Sequence, residues 1–149
     1  RLALLGAGLL LKALDNLERG IKMPMKIQND AEATYAEKIH RYEAILDFSL
    51  PAEELSRKVR AFNPAPGATA KLNGQDLKIW AASAIVDHTC ELPGTVVSVT
   101  RDGLKVACGA NTALIITELQ RSGGRRLPAS VFLGGFAVAL GDRFFLPKL

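Results

Sequence analysis

Asn73-Gly74 separates two runs, Ala68–Leu72 and Asp76–Ile85, in which apolar and polar residues alternate on either side of the turn, as far as Ile79 in the second. No other feature constrains the fold as tightly. Successive side chains of a strand point to opposite faces, and Asn-Gly supplies the two left-handed residues that a two-residue hairpin turn requires. A second pair of runs, Thr95–Thr100 and Leu104–Cys108, is joined by Arg101-Asp102-Gly103. Ala113–Gln120, rich in Ile, Leu and Thr, adds a fifth. Five short strands with regularly spaced turns predict a mainly β protein, a small closed or partly closed barrel that leaves few exposed edges.

Helices flank this pattern. Residues 2–19 read as a helix ending at Gly20, apolar most of the way round, as suits a helix wedged between other elements. Ser49 reads as the N-cap of a second helix, with Pro51 in its first turn and Glu53-Glu54 at its positive end. Leu55, Val59 and Phe62 give that helix one buried stripe, and Asn63-Pro64 stops it. Pro128–Leu133 reads as a short third helix. Residues 21–33, with Pro24 and the polar Gln28-Asn29-Asp30, read as an extended linker, while Tyr35–Leu46 fits either a helical turn or extended chain. The predicted organisation is a terminal helix over 1–20, a linker over 21–46 and a domain over 47–149.

A chain of 149 residues holds one domain plus a linker and an appendage. Residues 1–50 carry seven Lys/Arg against seven Asp/Glu, and 51–149 carry twelve against eight. The whole excess of +4 therefore lies in the second part, which allows an anionic partner without demanding one. Two cysteines, Cys90 and Cys108, without a signal peptide fit a reducing cytoplasm better than a disulfide framework. His40 and His88 lack metal-ligand spacing. The apolar run Leu2–Leu11 contains Gly6 and Gly8 and falls short of the ~20 residues of a bilayer span, so no membrane is expected. A start at Arg1 rather than Met predicts a piece cut from a longer protein.

Catalytic chemistry is poorly supplied. His40 and His88 read as solvated, and Cys108 reads as a packed thiol with no base beside it. No glycine-rich loop links a strand to a helix. Binding chemistry is richer. Arg121 and Ser122-Gly123-Gly124-Arg125-Arg126 form a basic turn whose guanidinium groups can fork onto phosphate oxygens, although the residues alone fit a solvated turn equally well. Lys38 and Arg41 are further candidates, with ordinary linker charge as the alternative. Arg60 either contacts a ligand or pins its helix to the barrel. Trp80 raises base stacking, but aromatic content of 6% and its place in an alternating strand predict core packing instead.

Residues 34–67, from Thr-Tyr-Ala-Glu-Lys-Ile through Leu-Asp-Phe-Ser-Leu-Pro to Phe-Asn-Pro-Ala-Pro-Gly, resemble the segment leading into the C-terminal domain of the methionyl-tRNA formyltransferase family. Leu77-Lys78-Ile79-Trp80, Pro93-Gly94-Thr95-Val96, Gly103–Gly109, Leu119-Gln120 and the Gly123–Arg126 turn extend the resemblance over nearly the whole chain. It implies an OB-like barrel of five to six strands, and it implies that 1–20 is the last helix of a missing catalytic domain. That family transfers a formyl group from 10-formyltetrahydrofolate to the Met amino group of initiator Met-tRNA, using an Asn, a His and an Asp of its N-terminal domain. This chain has no Asn-x-His, so it is expected to be inactive alone, without a cofactor of its own. The resemblance further implies a cytoplasmic monomer. It assigns Arg121, Arg125 and Arg126 to the phosphate backbone inside the tRNA L, and Lys38, the lysine of the family's Thr-Tyr-x-x-Lys pattern, with Arg41 to the neighbourhood of the acceptor arm. Arg60 joins them as a candidate contact.

Departures from the family pattern are Phe48 and Ala65 where Trp is common, Tyr42 in place of an acid, and the ending Phe144-Phe145-Leu146-Pro147. The first two predict a loosened contact between the second helix and the barrel. Two alternatives remain: the C-terminal domain of a sugar-nucleotide formyltransferase, which would not need Arg125-Arg126, and a non-catalytic interaction barrel.

Overall fold

A computed structural model describes residues 1–22, 24–88 and 90–145. They fall into two units, Arg1–Glu37 and Lys38–Leu149. The tail residues Leu146 and Pro147, part of the departure noted above, lie outside the described residues.

In the first unit, helix α1 spans Leu2–Glu18, a run of strong helix formers. Gly20, at φ +69°, ends it with its N–H on the Leu17 carbonyl at 3.0 Å, and Ile21 N–H reaches the Asn16 carbonyl at 2.9 Å. Such a left-handed glycine satisfies carbonyls that the last turn leaves open. No residue of α1 is buried, so its leucines, Leu4 and Leu10 among them, face solvent. In the linker beyond it a 3₁₀ turn forms at Asp30–Glu32 between extended Asn29 and Ala33, and Asn29 caps it by accepting from the Ala31 N–H at 3.1 Å.

The second unit opens with a 3₁₀ turn at Arg41–Ala44, so Tyr35–Leu46 is partly turn and partly extended. Leu46 is fully buried, and its N–H bonds the Thr69 carbonyl at 2.9 Å. Helix α2 spans Ala52–Ala61, starting later than Ser49 suggests. Asp47 explains the delay: its Oδ1 accepts from both the backbone N–H and the hydroxyl of Ser49, at 3.0 and 2.7 Å. Ser49 is thus consumed by an Asx turn, and Pro51 becomes the N-cap. Leu55 and Val59 are buried as the helical spacing predicts, while Phe62 at the C-cap is half-buried. The chain then turns through cis peptide bonds at Asn63–Pro64 and Ala65–Pro66.

Five principal strands follow: β1 (Ala68–Leu72), β2 (Gln75–Val86), β3 (Val96–Thr100), β4 (Gly103–Cys108) and β5 (Thr112–Arg121). Two short ones, β6 (Leu127–Pro128) and β7 (Phe144–Phe145), flank helix α3 (Ala129–Gly135). The Asn73-Gly74 hairpin forms as predicted, with φ of +50° and +76°. The curled antiparallel sheet runs β3-β4-β5-β2-β1-β7, with β6 on β5. Its two edges are bridged by one segment. Phe144 pairs with Leu72, its N–H reaches the Gly94 carbonyl at 2.8 Å, and Val96 N–H reaches the Asp142 carbonyl at 2.7 Å.

Alternation sorts the strands' side chains. Leu72, Leu77, Ile79, Leu104, Leu114, Ile116 and Leu119 are fully buried, with Leu55 and Val59 of α2 closing the same core. Each buried aliphatic side chain of this size contributes about 1.5–3 kcal/mol. Phe48, one of the two residues expected to loosen the contact of α2 with the barrel, is itself buried in the core: it is 5% exposed and its ring lies 5.1 Å from that of Phe144. The Phe144 ring, supplied by the tail, takes up volume beside it.

Candidate nucleic-acid interface

Strand β5 ends at Arg121, and the chain reverses through Ser122–Arg126 before entering β6. Gly123 adopts φ +69°, and Gly124 N–H bonds the Arg121 carbonyl at 2.9 Å, so the reversal is tight. Arg121, Arg125 and Arg126 are all exposed. The structure gathers these three of the six candidate residues on one turn.

Their surroundings differ. Arg126 Nη2 donates to Glu118 Oε2 at 2.6 Å, and its guanidinium lies 5.2 Å above the centre of the Trp80 ring. The hydrogen bond from Arg126 holds the Glu118 carboxyl below its ordinary range, and the same bond raises the guanidinium's own pKa. Arg125 makes no ion pair among the described residues. Arg121 borders a shallow cleft of about 380 Å³ with Gln75, Asp76 and Ser122–Gly124.

The other three candidates stand on other elements. Lys38 and Arg41 are exposed at the start of the unit, Arg41 in a 3₁₀ turn beside the stacked His40 and Tyr42 rings, whose centres are 5.3 Å apart. Arg60 is exposed on α2, but its Nη1 donates to Ser56 Oγ at 2.9 Å, and that hydroxyl donates to the Ala82 carbonyl at 3.1 Å. The bond that crosses from α2 to β2 is thus that of Ser56, and Arg60 braces it from within α2.

Trp80 is not in the core. Leu77 and Ile79 take the inward positions of β2, so Lys78 and Trp80 point outward. A bulge follows: Ile79 pairs with Leu119, but Glu118 pairs with Ala81, leaving Trp80 as the extra residue. The half-buried indole donates from Nε1 to Gln120 Oε1 at 2.8 Å, and Gln120 Nε2 donates to the Gly124 carbonyl at 2.8 Å. Lys78 Nζ donates to the Pro66 carbonyl at 2.8 Å and lies 5.4 Å from the ring centre. Gly67 is glycine because of this ring: a Cβ there would stand 2.9 Å from Trp80 Cη2, on a backbone at φ +85°. Gln120 entered the sequence reading only as part of the Leu119-Gln120 resemblance and Glu118 not at all, although their spacing of two on β5 already puts them on one face.

Catalytic groups do not converge here. Among the described residues no cluster of His, Cys, Asp and Glu could hold a metal ion, and His40 and His88 are exposed. Burial pushes the Cys108 thiol up to about 12, which makes it inert.

A family model for the formyl transferase C-terminal domain matches residues 38–137. The chain belongs to the formyl transferase C-terminal domain family. The matched region begins at Lys38, where the second compact unit begins. Methionyl-tRNA formyltransferase of Paraburkholderia phymatum is 52% identical over 149 residues, and that of Burkholderia ambifaria is 48% identical over 147. Each alignment covers 99% of this chain but 45% of the relative, so the chain spans less than half the length of these curated relatives. Among solved structures, HypX from Aquifex aeolicus superposes with a TM-score of 0.66 over 89% of this chain and 23% of its own, at 24% identity. HypX in complex with tetrahydrofolic acid gives 0.65 over 88% and 23%, also at 24% identity. Those structures share the fold of this family member. No helix among its described residues is long and apolar enough to cross a membrane.

Proposed function

We propose that this chain is the RNA-gripping C-terminal part of a methionyl-tRNA formyltransferase, acting in the cytoplasm as a monomer on initiator Met-tRNA. The observation that carries the reading is the Arg121–Arg126 turn: exposed, tightly reversed at its glycines, and holding in Arg125 a cation with no carboxylate partner among the described residues. Guanidinium groups on such a turn neutralise phosphate and release counterions, giving affinity with little base reading. The 52% identity to a methionyl-tRNA formyltransferase across the full alignment supports tRNA, rather than another polyanion, as the partner.

Arg121 and Arg125 make the principal phosphate contacts in this reading, and Arg126 adds a charge partly screened by Glu118. Lys38 and Arg41 extend the contact toward the acceptor arm, and Arg60 adds a contact from α2. Holding the acceptor end in place lowers the entropic cost of bringing the amino group to the formyl donor.

We assign 10-formyltetrahydrofolate and the transfer itself to the part of the relatives that this chain does not span. In this reading the exposed His40 and His88 and the buried Cys108 thiol take no part in that transfer. The test is a mobility-shift titration of the chain with an initiator tRNA transcript, with a sugar nucleotide as competitor. A saturable shift that the sugar nucleotide leaves unchanged supports the reading. Absence of a shift, or its loss to the sugar nucleotide, overturns it.

A further inference from the structure

The basic turn does not stand on its own glycines. Beneath it, three outward side chains of neighbouring strands, Trp80 on β2 with Glu118 and Gln120 on β5, form a continuous set of contacts to its backbone and to one of its arginines. The Trp80 indole N–H bonds Gln120, and Gln120 bonds the carbonyl of Gly124, the residue immediately before Arg125. The same indole ring underlies the Arg126 guanidinium, whose second face of attachment is Glu118. Both residues that flank Arg125 are therefore fixed to the sheet, while Arg125 itself is not.

We propose that Trp80 and Gln120 are positioning residues for RNA binding: they set the turn so that Arg125 is presented to a phosphate in advance. This rests on the RNA-binding reading above. A turn containing Gly123-Gly124 samples many backbone conformations, and ordering it at the moment of binding would weaken affinity. Two hydrogen bonds through a single Gln side chain, backed by an indole that the β2 bulge aims outward, remove that cost before the ligand arrives. Neither residue need touch RNA.

The chain has a single tryptophan, so its emission reports this contact directly. Three variants, Gln120→Leu, Trp80→Phe and Arg121→Ala/Arg125→Ala, are titrated with an initiator tRNA transcript at several salt concentrations. Gln120→Leu is expected to weaken binding about five-fold, the size of one net hydrogen bond, and to leave the salt dependence as in the wild type because no cation is lost. It also shifts Trp80 emission in the free protein, because the indole N–H loses its partner. Trp80→Phe keeps an aromatic face under Arg126 but loses the N–H, and weakens binding without flattening the salt dependence; it carries the same test should Gln120→Leu fail to fold. Wild-type affinity in Gln120→Leu and Trp80→Phe, with weakened binding in the arginine variant, overturns the positioning role and leaves RNA binding standing. Wild-type affinity in all three overturns the RNA-binding reading itself.

Discussion

Arg126 donates to Glu118 at 2.6 Å across the β5–β6 reversal, whereas its sequence neighbour Arg125 has no carboxylate partner among the described residues. Two adjacent arginines thus hold different electrostatic positions. A solvent-facing pair such as Arg126–Glu118 contributes little to stability, since both groups are screened. Its consequence is geometric: it fixes one guanidinium over Trp80 and leaves the other free to meet an incoming anion.

The pair gives a defined acid response. Glu118 has its pKa lowered in the folded protein, chiefly by the Arg126 hydrogen bond, from an ordinary value of 4.5. A lowered folded pKa means that the pair's contribution is present above the ordinary carboxylate range and is lost as pH falls through the folded value. Trp80 emission is therefore expected to change with a midpoint below pH 4.5, and Glu118→Gln should remove that transition. A midpoint above 4.5 contradicts the assignment.

Thiol chemistry separates the two cysteines. Cys90 is exposed, while Cys108 is buried with its thiol pushed up to about 12. A maleimide-type reagent at neutral pH should modify one site, Cys90, in the folded chain and both sites in denaturant. Mass spectrometry after brief labelling reads this, and modification of native Cys108 would count against the barrel's packing.

Gly109 is held by close backbone approach rather than by a left-handed φ. Its N–H reaches the Phe48 and Leu50 carbonyls, each at 3.0 Å, and a Cβ would collide with the Ser49 carbonyl oxygen. Gly109→Ala should force the segment before α2 away from β4 and lower stability by about 1–3 kcal/mol, the usual scale for overpacking. Thermal unfolding measures it; an unchanged Tm would show that the two segments do not meet this closely.

Leu55, fully buried on α2, tests how α2 closes the barrel. Leu55→Ala is expected to cost about 2–5 kcal/mol from lost burial and the cavity left behind. Because Leu55 faces the core, whereas Trp80, Glu118 and Gln120 lie on the outward face of the sheet, tRNA affinity measured well below the lowered Tm should match the wild type.

Much of the fold was legible in the sequence because its strands carry a period of two, broken where the sheet bulges at Trp80. Leu77 and Ile79 point inward as the pattern requires, and the Asn73-Gly74 turn leaves no other register open. The start of α2 was misread because Ser49 has two competing uses, N-cap or partner of Asp47, and local sequence does not rank them. Strand β7 was missed because Phe144–Phe145 becomes a strand only by joining edges distant in sequence. At the site, the arginines were visible from composition and spacing. Trp80 was misplaced in the core because apolar character outweighed its outward position, one residue past Ile79. The difference between Arg125 and Arg126 was invisible, since it depends on Glu118 lying across a turn.

The central claim is that Arg121 and Arg125 bind RNA by neutralising phosphate. The most direct test is the salt dependence of initiator tRNA affinity for the wild-type chain and for Arg121→Ala/Arg125→Ala. Each lost phosphate contact reduces the slope of log affinity against log salt by about 0.7–0.9. The account expects the double variant to bind more weakly and with a slope flatter by about 1.4–1.8, two such contacts. An unchanged slope with unchanged affinity would contradict it.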